Sequence, residues 1–325
     1  QDRAVGLADA APDRAAGAAG VAQDRTEVAA DPPPPAGTDV IVQPGPPSWG
    51  LDRIDQRSLP LDLKYHYPNT AGGVKAYIIG TGIRFTHQEF GGRAVRGFDA
   101  IGDGQNGNDC QGSGTFIAGI VGGATVGVAK GTQLVSVRVL NCSGSGSYAQ
   151  VIAGVDWITA DAAASTVPTV ANMSVGGGAY QPLDDAVTRS IAGNVHYSVA
   201  AGGSASDACL FSPARVPRAT TVGATTNTDA RASFSAIGRC LDVFAPGMTI
   251  TSTWFTSDTA YNTISGTTPA TSHASGVAAL WRHRFPSDNA DHVAAALAAN
   301  ATPGVVTNAG ANSPNLLLFM GMVPR

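Results

Sequence analysis

The chain has 325 residues, of which 43% are hydrophobic, and its formal net charge is -4. A chain of this length can form one large core or two modest ones. The mild charge gives no reason to expect nucleic acid or a membrane surface as a partner, and no apolar run approaches the roughly 18 residues that cross a bilayer.

Residues 1–48 differ in composition from the rest of the chain. They are rich in Ala, Asp and Arg and then in Pro, with one brief strand-like segment at Asp39-Val40-Ile41-Val42. Such a segment buries too little apolar area to offset its ordering entropy. We predict a low-complexity Ala/Pro-rich tail or linker over 1–48 and one domain over 49–325. The tail is expected to be mobile or lightly docked, and the alternative is that it lies along a groove or a partner.

From Trp49 onward, short apolar runs alternate with helical stretches. We predict strands at 74–79, 134–140, 170–175, 195–201 and 221–223. We predict helices at 114–122, 147–161, 181–192, 269–284 and 288–300, the last with Ser287 as its N-cap. Continuous apolar strands are typical of parallel sheets that are buried on both faces. The alternation therefore predicts a doubly wound α/β fold with a mainly parallel sheet flanked by helices.

The four cysteines fall as two pairs of similar separation, Cys110 with Cys142 and Cys209 with Cys240. They have no C-x-x-C spacing and no accompanying histidine cluster, which argues against zinc. Two disulfides in a secreted or otherwise extracytoplasmic protein are the simplest interpretation. Four buried thiols in a cytosolic protein are the alternative.

Glycine-flanked turns follow several of the predicted strands or open the predicted helices. They are Gly80-Thr81-Gly82, Gly112-Ser113-Gly114-Thr115, Gly202-Gly203 and Gly266-Thr267-Thr268. In open α/β folds, sites form at the carboxyl ends of strands and the N-termini of helices, so the four turns could converge on one site. Taken singly, each glycine is more often required only for the shape of the backbone.

Residues from Trp49 to Phe319 resemble the proteinase K and aqualysin branch of the subtilase family. The resemblance is carried by Trp49-Gly50-Leu51-Asp52-Arg53-Ile54-Asp55, Asn172-Met173-Ser174-Val175-Gly176-Gly177-Gly178 and Phe244-Ala245-Pro246-Gly247, among other segments. It implies a subtilisin-like fold and the disulfides Cys110–Cys142 and Cys209–Cys240. It also implies a structural calcium site, built from the Asp242 carboxylate and the carbonyls of Pro217 and Ala219; no other cofactor is expected.

The same resemblance also shows that the chain departs from the family at the positions of the catalytic residues. Gly80 stands at the position of the catalytic Asp, Ser113 at that of the His, Thr268 at that of the nucleophilic Ser and Gly203 at that of the oxyanion Asn. Serine hydrolysis needs an imidazole base, a carboxylate that orients it and an oxyanion donor. We therefore predict no intact catalytic residue and no working serine protease.

Other titratable residues lie near these positions in the sequence. His196 is on the strand that leads to Gly203 and is either buried and hydrogen-bonded or aimed towards the site. His273 should point away from Thr268 around its helix. Asp109, four residues before Ser113, is interpreted as a turn carboxylate rather than a catalyst.

Three functions remain open from the sequence. The first is a pseudoprotease that binds an extended peptide or protein segment in the former cleft, next to Thr268. The cleft walls are expected at Ser143, Gly144, Ser145, Gly146, Ser174, Val175, Gly176 and Gly177. The second is an enzyme of another class that guides a small apolar metabolite through cyclisation or isomerisation. The third is residual hydrolysis through Thr268.

Overall fold

The computed structural model describes residues 4–7 and 40–321. The helices are α1 Trp49–Ile54, α2 Ser113–Gly122, α3 Tyr148–Ala163, α4 Gln181–Ala192, α5 Thr267–Arg284 and α6 Ala290–Asn300. The strands are β1 Ala4–Leu7, β2 Ile41–Pro44, β3 Lys64–Tyr67, β4 Lys75–Gly80, β5 Ala94–Asp99, β6 Gln133–Arg138, β7 Ser145–Ser147, β8 Thr169–Met173, β9 Val175–Gly178, β10 His196–Ala200, β11 Phe211–Ser212, β12 Thr220–Thr225, β13 Val243–Pro246, β14 Ile250–Thr253, β15 Tyr261–Ile264, β16 Thr302–Pro303 and β17 Leu316–Leu317.

The core of the molecule is a nine-stranded sheet in the order β16-β17-β13-β12-β10-β8-β4-β6-β5. Every neighbouring pair is parallel except β16 with β17. Both faces are covered, as β4 illustrates. Ile78 packs in the cluster that contains α2 and α5 side chains, whereas Tyr77 and Ile79 pack with those of α3 and α4. Alternate residues of a strand point to opposite faces, so helices on both sides bury the whole strand. The predicted doubly wound α/β fold is confirmed.

Each predicted strand and helix has a counterpart in the structure, whereas the short helix α1 and most of the short strands outside the middle of the central sheet were not predicted. The strands β5 and β13 were not predicted, because β5 mixes charged and apolar residues and β13 is a short run that ends at Pro246. The last helix does not use Ser287 as its N-cap. The side chain of Asn289 accepts a hydrogen bond from the amide of His292 at 2.8 Å, and the helix begins at Ala290.

The predicted tail behaves differently along its length. Ile41–Pro44 pairs antiparallel with Lys64–Tyr67, so pairing with the body begins before the predicted boundary at residue 49. Near the other end, Ala4–Leu7 forms a strand of a second, four-stranded sheet in the order β11-β9-β1-β7. For these four residues, the prediction of a mobile or lightly docked tail is therefore wrong, and the alternative, that the tail lies along a groove, describes them. Residues 8–39 lie outside the described residues.

All four cysteines are paired, as the resemblance implies. Cys110–Cys142 and Cys209–Cys240 join Cα atoms 5.0 and 5.3 Å apart. In the chain-entropy model, each crosslink over about 30 residues stabilises the fold by ~3–4 kcal/mol. Within residues 4–7 and 40–321, no helix has the length and apolar character needed to cross a membrane.

Candidate functional site

The four glycine-flanked turns lie at the carboxyl edge of the central sheet, where they form two contacting pairs. Gly80 ends β4, and a Cβ atom built on it would lie 4.0 Å from the Cα of Gly114 in the first turn of α2. On the other side, the amide of Gly202, in the loop after β10, donates to the Oγ1 of Thr267 at 3.3 Å. The structure thus places Gly80 beside the helix that starts at Ser113, and the loop of Gly203 beside the helix that carries Thr268. Both helices pack in the same core cluster.

The junction between β4 and α2 is organised by a carboxylate. One Asp109 oxygen accepts from the Thr81 hydroxyl at 2.9 Å and from the Gly112 amide at 2.8 Å. The other accepts from the amide and the hydroxyl of Thr115, at 2.8 and 2.6 Å. The Thr81 hydroxyl oxygen also accepts from the Gly114 amide at 3.0 Å. Asp109 is therefore the turn carboxylate that the sequence predicts, and it satisfies amides that a helix start leaves without partners.

The surroundings of Ser113 are partly aromatic. Ser113 is 7% exposed, and its amide donates to the Oε1 of Gln111 at 2.9 Å. The ring of Trp254 lies so close to Gly112 that a Cβ atom there would be 2.4 Å from it. Trp254 also meets Phe116 edge to face, with ring centroids 6.4 Å apart. Gly112 is thus required by close approach as well as by its φ of 120°, and any larger residue would displace the indole.

The two histidines that lie near the site in the sequence are buried in other contacts. The Nδ1 of His196 faces the carbonyl of Ala290 at 3.5 Å, and the Nδ1 of His273 faces that of Pro269 at 2.8 Å. Burial lowers the pKa of each imidazole to about 4. Both rings are therefore neutral at pH 7 and have structural partners, so the buried interpretation of His196 is confirmed.

The start of α5 positions Thr268. It is 3% exposed, and its carbonyl accepts the hydroxyl of Ser272 at 2.9 Å. Pro269 is tolerated here because the first amides of a helix have no intrahelical acceptor. The aligned peptide dipoles make this end of α5 partially positive, which favours a carbonyl or a carboxylate bound next to it.

The residues predicted as cleft walls lie on or next to β7 and β9, and the strand β1 lies between these two strands. Ser145 and Gly146 belong to β7, and Val175, Gly176 and Gly177 to β9. The remaining predicted wall residues flank these strands. Ser143 and Gly144 lie in the turn before β7, and the hydroxyl of Ser174, just before β9, accepts from the side chain of Asn172 at 3.1 Å.

The chain's own N-terminal residues occupy the space between these walls. In β1, Val5 pairs with Gly146 and Gly6 with Ser145 on one side, and Gly6 with Gly176 on the other, both antiparallel. Val5 is 3% exposed and packs in the apolar cluster beneath the cleft. An extended segment therefore completes a continuous sheet across the cleft.

Sequence reasoning missed a tyrosine that joins the two walls. The Tyr148 hydroxyl donates to the carbonyl of Gly178 at 2.5 Å, and its ring stacks on that of Tyr180 at 4.3 Å. The available signal was the capping box of Ser147 and Gln150, which places Tyr148 at the first position of α3.

A buried arginine under the cleft edge was also missed. The Nε of Arg138 donates to the carbonyl of Thr81 at 3.1 Å, and its two Nη atoms donate to the Asp103 carboxylate at 2.6 and 2.7 Å. A further bond reaches Asp99 at 3.1 Å. The hydrogen bond from Arg138 holds the pKa of Asp103 down, at about 2. This network ties the end of β4 to the end of β6.

The residues implied for calcium lie around the start of β12. Asp242 is half-buried, its Oδ2 accepts the Thr221 amide at 2.8 Å, and its own amide donates to the Thr221 carbonyl at 2.9 Å. The turn with Pro217 and Ala219 leads directly into this strand. A carboxylate and backbone carbonyls are hard-oxygen donors of the kind that calcium prefers, so these residues fit the ion by donor type.

One other cluster among the described residues could hold a metal by composition, namely Asp103 with Cys110 and Cys142. Both of its sulfurs are in a disulfide and therefore are not thiolate ligands.

Comparison with known proteins agrees with this architecture. The model of the subtilase family matches residues 53–321. The chain is 57% identical over 274 residues to the extracellular serine proteinase of a Thermus species, covering 84% of this chain and 66% of that protein. It is 51% identical over 271 residues to the alkaline serine exoprotease A of Vibrio alginolyticus, covering 83% of this chain and 50% of that protein.

A solved structure is also similar. The crystal structure of a cold adapted subtilisin-like serine proteinase superposes with a TM-score of 0.81 at 46% identity, covering 85% of this chain and 98% of that one. The chain spans about one half to two thirds of the length of the two curated relatives. The fold, the cleft strands and the family match over most of the chain lead to one assignment: this chain belongs to the subtilase family.

Proposed function

We propose that this chain is a subtilase homologue that does not hydrolyse peptide bonds and that uses the former substrate cleft to bind an extended segment. The observation that carries the proposal is the antiparallel pairing of residues 4–7 with both cleft walls. Such pairing draws its affinity from main-chain hydrogen bonds, so it needs none of the groups that cut a peptide.

The chemistry at the sheet edge supports the non-proteolytic half of the proposal. Gly80 has no side chain to orient a base, and the hydroxyl of Ser113 has too high a pKa to be one. Gly203 offers no side-chain donor to an oxyanion. In subtilisin, itself a member of this family, losing the triad lowers turnover by about 10⁶-fold, and losing the oxyanion Asn lowers it by about another 10²–10³-fold. Together these are roughly 11–12 kcal/mol of transition-state stabilisation.

The non-proteolytic proposal has to be weighed against relatives named as serine proteinases, one of which is 57% identical to this chain. Around the positions that the resemblance assigns to the catalytic groups, the Asp109 network and the pairing of β7 and β9 with β1 are formed. Residues unable to carry out the family's chemistry, on a scaffold of this kind, support repurposing of the cleft. The two disulfides, together with the relatives' names, support an extracytoplasmic location for this chain as well.

A covalently attached strand changes how the cleft meets other ligands. Covalent attachment gives a segment an effective concentration that reaches the millimolar range when the linker spans the distance to the site. A free peptide therefore competes with residues 4–7, and its apparent affinity falls in proportion to the fraction of open clefts. The ligand we propose is an extended peptide or protein segment that displaces this strand.

The test uses the full chain, a labelled peptide with the sequence of residues 1–10, and the variant Val5→Asp. Val5 is 3% exposed, so an aspartate there would bury a charge and release the strand. We expect the variant to bind the peptide at least about tenfold more tightly than the parent chain. Val21→Asp, which changes the same tail outside the described residues, is the matched control. Equal binding by all three proteins would refute occupation of the cleft by residues 4–7.

Hydrolysis is tested on the same proteins. We expect no turnover of an activated ester or a chromogenic peptide above background. Turnover that disappears in Thr268→Ala would overturn the non-proteolytic proposal and establish residual hydrolysis through Thr268.

A second candidate function is favoured by the small, uncharged residues at two of the positions that the resemblance assigns to the catalytic groups. Gly80 has no side chain, and a Cβ atom built on it would meet no clash outside its chain neighbours; Ser113 carries no charge. A small apolar metabolite could be held there and guided through an isomerisation or a cyclisation. Mass spectrometry of an organic extract of the purified protein distinguishes the two candidates: a stoichiometric small molecule favours the second.

We also propose that Asp242, with the carbonyls of Pro217 and Ala219, holds a structural calcium ion. A ligand that is present at about 100 times its Kd stabilises the fold by ~2.7 kcal/mol, or roughly 5 °C in Tm for a domain of this size. We expect a chelator to lower the Tm by about that amount, and Asp242→Asn to abolish the effect. Asp185→Asn, on the exposed face of α4, is the control. A Tm that does not respond to chelator in the parent chain would contradict the site.

A further inference from the structure

The two disulfides of this chain differ in their settings. Cys142 is exposed, in the turn just before the cleft strand β7, and Cys110 is half-buried. Cys209 and Cys240 are both half-buried, and Cys240 packs against an apolar cluster. An incoming thiol therefore has an open approach to one sulfur of the first disulfide, because exchange requires direct access to the sulfur attacked.

A buried cation lies against the first disulfide. The Nη2 of Arg138 is 3.4 Å from the Sγ of Cys110 and 3.8 Å from that of Cys142. Arg138 is held in place by the carbonyl of Thr81 and by the Asp103 carboxylate, so the guanidinium stays beside the sulfurs. A neighbouring cation stabilises a thiolate, and a stabilised thiolate is the better leaving group in exchange.

We propose that the Cys110–Cys142 disulfide is a site of modification by small thiols, with Cys142 as the sulfur attacked and Cys110 as the sulfur released. The attacking thiolate forms a new S–S bond to the Sγ of Cys142. The Cys110–Cys142 bond breaks, and its electron pair stays on Cys110 as a thiolate next to Arg138. One disulfide is exchanged for another, so the step needs no oxidant or reductant beyond the thiol itself.

The surrounding charges select the class of thiol. One guanidinium, Arg138, is accompanied by two carboxylates, Asp99 and Asp103, and the Asp103 carboxylate is 4.0 Å from the Sγ of Cys142. The group therefore carries a net charge of about -1, which attracts a cationic thiol and repels an anionic one. Cysteamine represents the first class and glutathione the second. The proposal does not rest on the proposed function of the cleft.

The experiment treats the folded full chain with each thiol at equal thiolate concentration, followed by acid quenching, alkylation and peptide mapping. We expect the adduct on Cys142, the alkylated thiol on Cys110 and an intact Cys209–Cys240 bridge. Cysteamine should react about tenfold faster than glutathione, by the charge difference above. In Asp103→Asn this preference should shrink, because one carboxylate is removed at an exposed position.

Any one of four outcomes would overturn the proposal. The first is opening of Cys209–Cys240 at the same rate or faster. The second is an adduct on Cys110 or an even division between Cys110 and Cys142. The third is a glutathione rate equal to that of cysteamine in the parent chain. The fourth is the absence of any exchange under native conditions.

Discussion

The proposed loss of catalytic groups is tested most sharply by placing the family's groups at the four positions that the resemblance assigns to them. The variant combines Gly80→Asp, Ser113→His, Gly203→Asn and Thr268→Ser. Apart from its chain neighbours, a Cβ atom at residue 80 has its nearest neighbour at 4.0 Å, the Cα of Gly114, so the first side-chain atom of an aspartate meets no clash there. That same distance puts residue 80 beside the residue that follows Ser113, where the new imidazole would need its carboxylate.

The expected gain in turnover is estimated from the turnover that subtilisin loses when its triad is removed. In subtilisin the triad contributes about 10⁶ in turnover. A misplacement of about 1 Å at one group removes roughly 10² of this, so we expect the variant to exceed the parent chain by about 10⁴-fold. The assay is cleavage of a chromogenic peptide, with circular dichroism to establish folding. The same variant with Thr268→Ala in place of Thr268→Ser is the matched control.

Two results would refute the reasoning. A parent chain as active as the restored variant would mean that catalysis does not need these groups. A folded variant no better than its alanine control would mean that the carboxyl edge no longer has the geometry of a working site.

Two further predictions concern stability. Gly114→Ala should cost more than about 3 kcal/mol in the free energy of unfolding, since its Cβ atom would lie 1.9 Å from the carbonyl oxygen of Gly82. Gly178→Ala, with nothing within 4 Å, should change it by less than about 1 kcal/mol; similar values from urea unfolding would contradict this. The folded-state pKa of His196 and of His273, about 4, lies below the ordinary 6.5, so the unfolded chain binds more protons between these values. The contribution of each neutral histidine to the free energy of unfolding is complete above pH 6.5 and falls towards pH 4, by up to about 3 kcal/mol. Between pH 7 and pH 4.5, His273→Gln should therefore lose less stability than the parent chain. An equal loss in the two proteins would contradict this prediction.

The sequence predicted the elements whose residue pattern along the chain is sufficient to identify them. Buried parallel strands read as continuous apolar runs, and β4, β6, β8, β10 and β12 were found for that reason. The strand β5 was missed because an edge strand has one neighbour and a half-exposed face, so its residues need not be uniformly apolar. The start of α6 was misplaced because two polar residues could each cap it, and only the side-chain geometry chose Asn289 over Ser287.

Some features of the candidate site were likewise predictable from the sequence, and others were not. Its glycine-rich turns, its predicted wall residues and its cysteine pairs are visible in the sequence, because each depends on residue type at a fixed spacing. Arg138 and Tyr148 were not, since a single arginine in a strand or a tyrosine at a helix start acquires its role from partners far away along the chain. Arg138, for example, bonds Thr81, 57 residues before it.

By itself, then, the sequence determined the layered α/β architecture, the cysteine pairs and the identity of the residues at the sheet edge. Only the tertiary structure decided what lies in the cleft. Residues 4–7 pair with strands more than 130 residues further along the chain, as in Val5 with Gly146. Their composition carries no sign of this, because main-chain pairing uses groups that every residue has, and the choice of partner depends on which sheet edges the folded body leaves open.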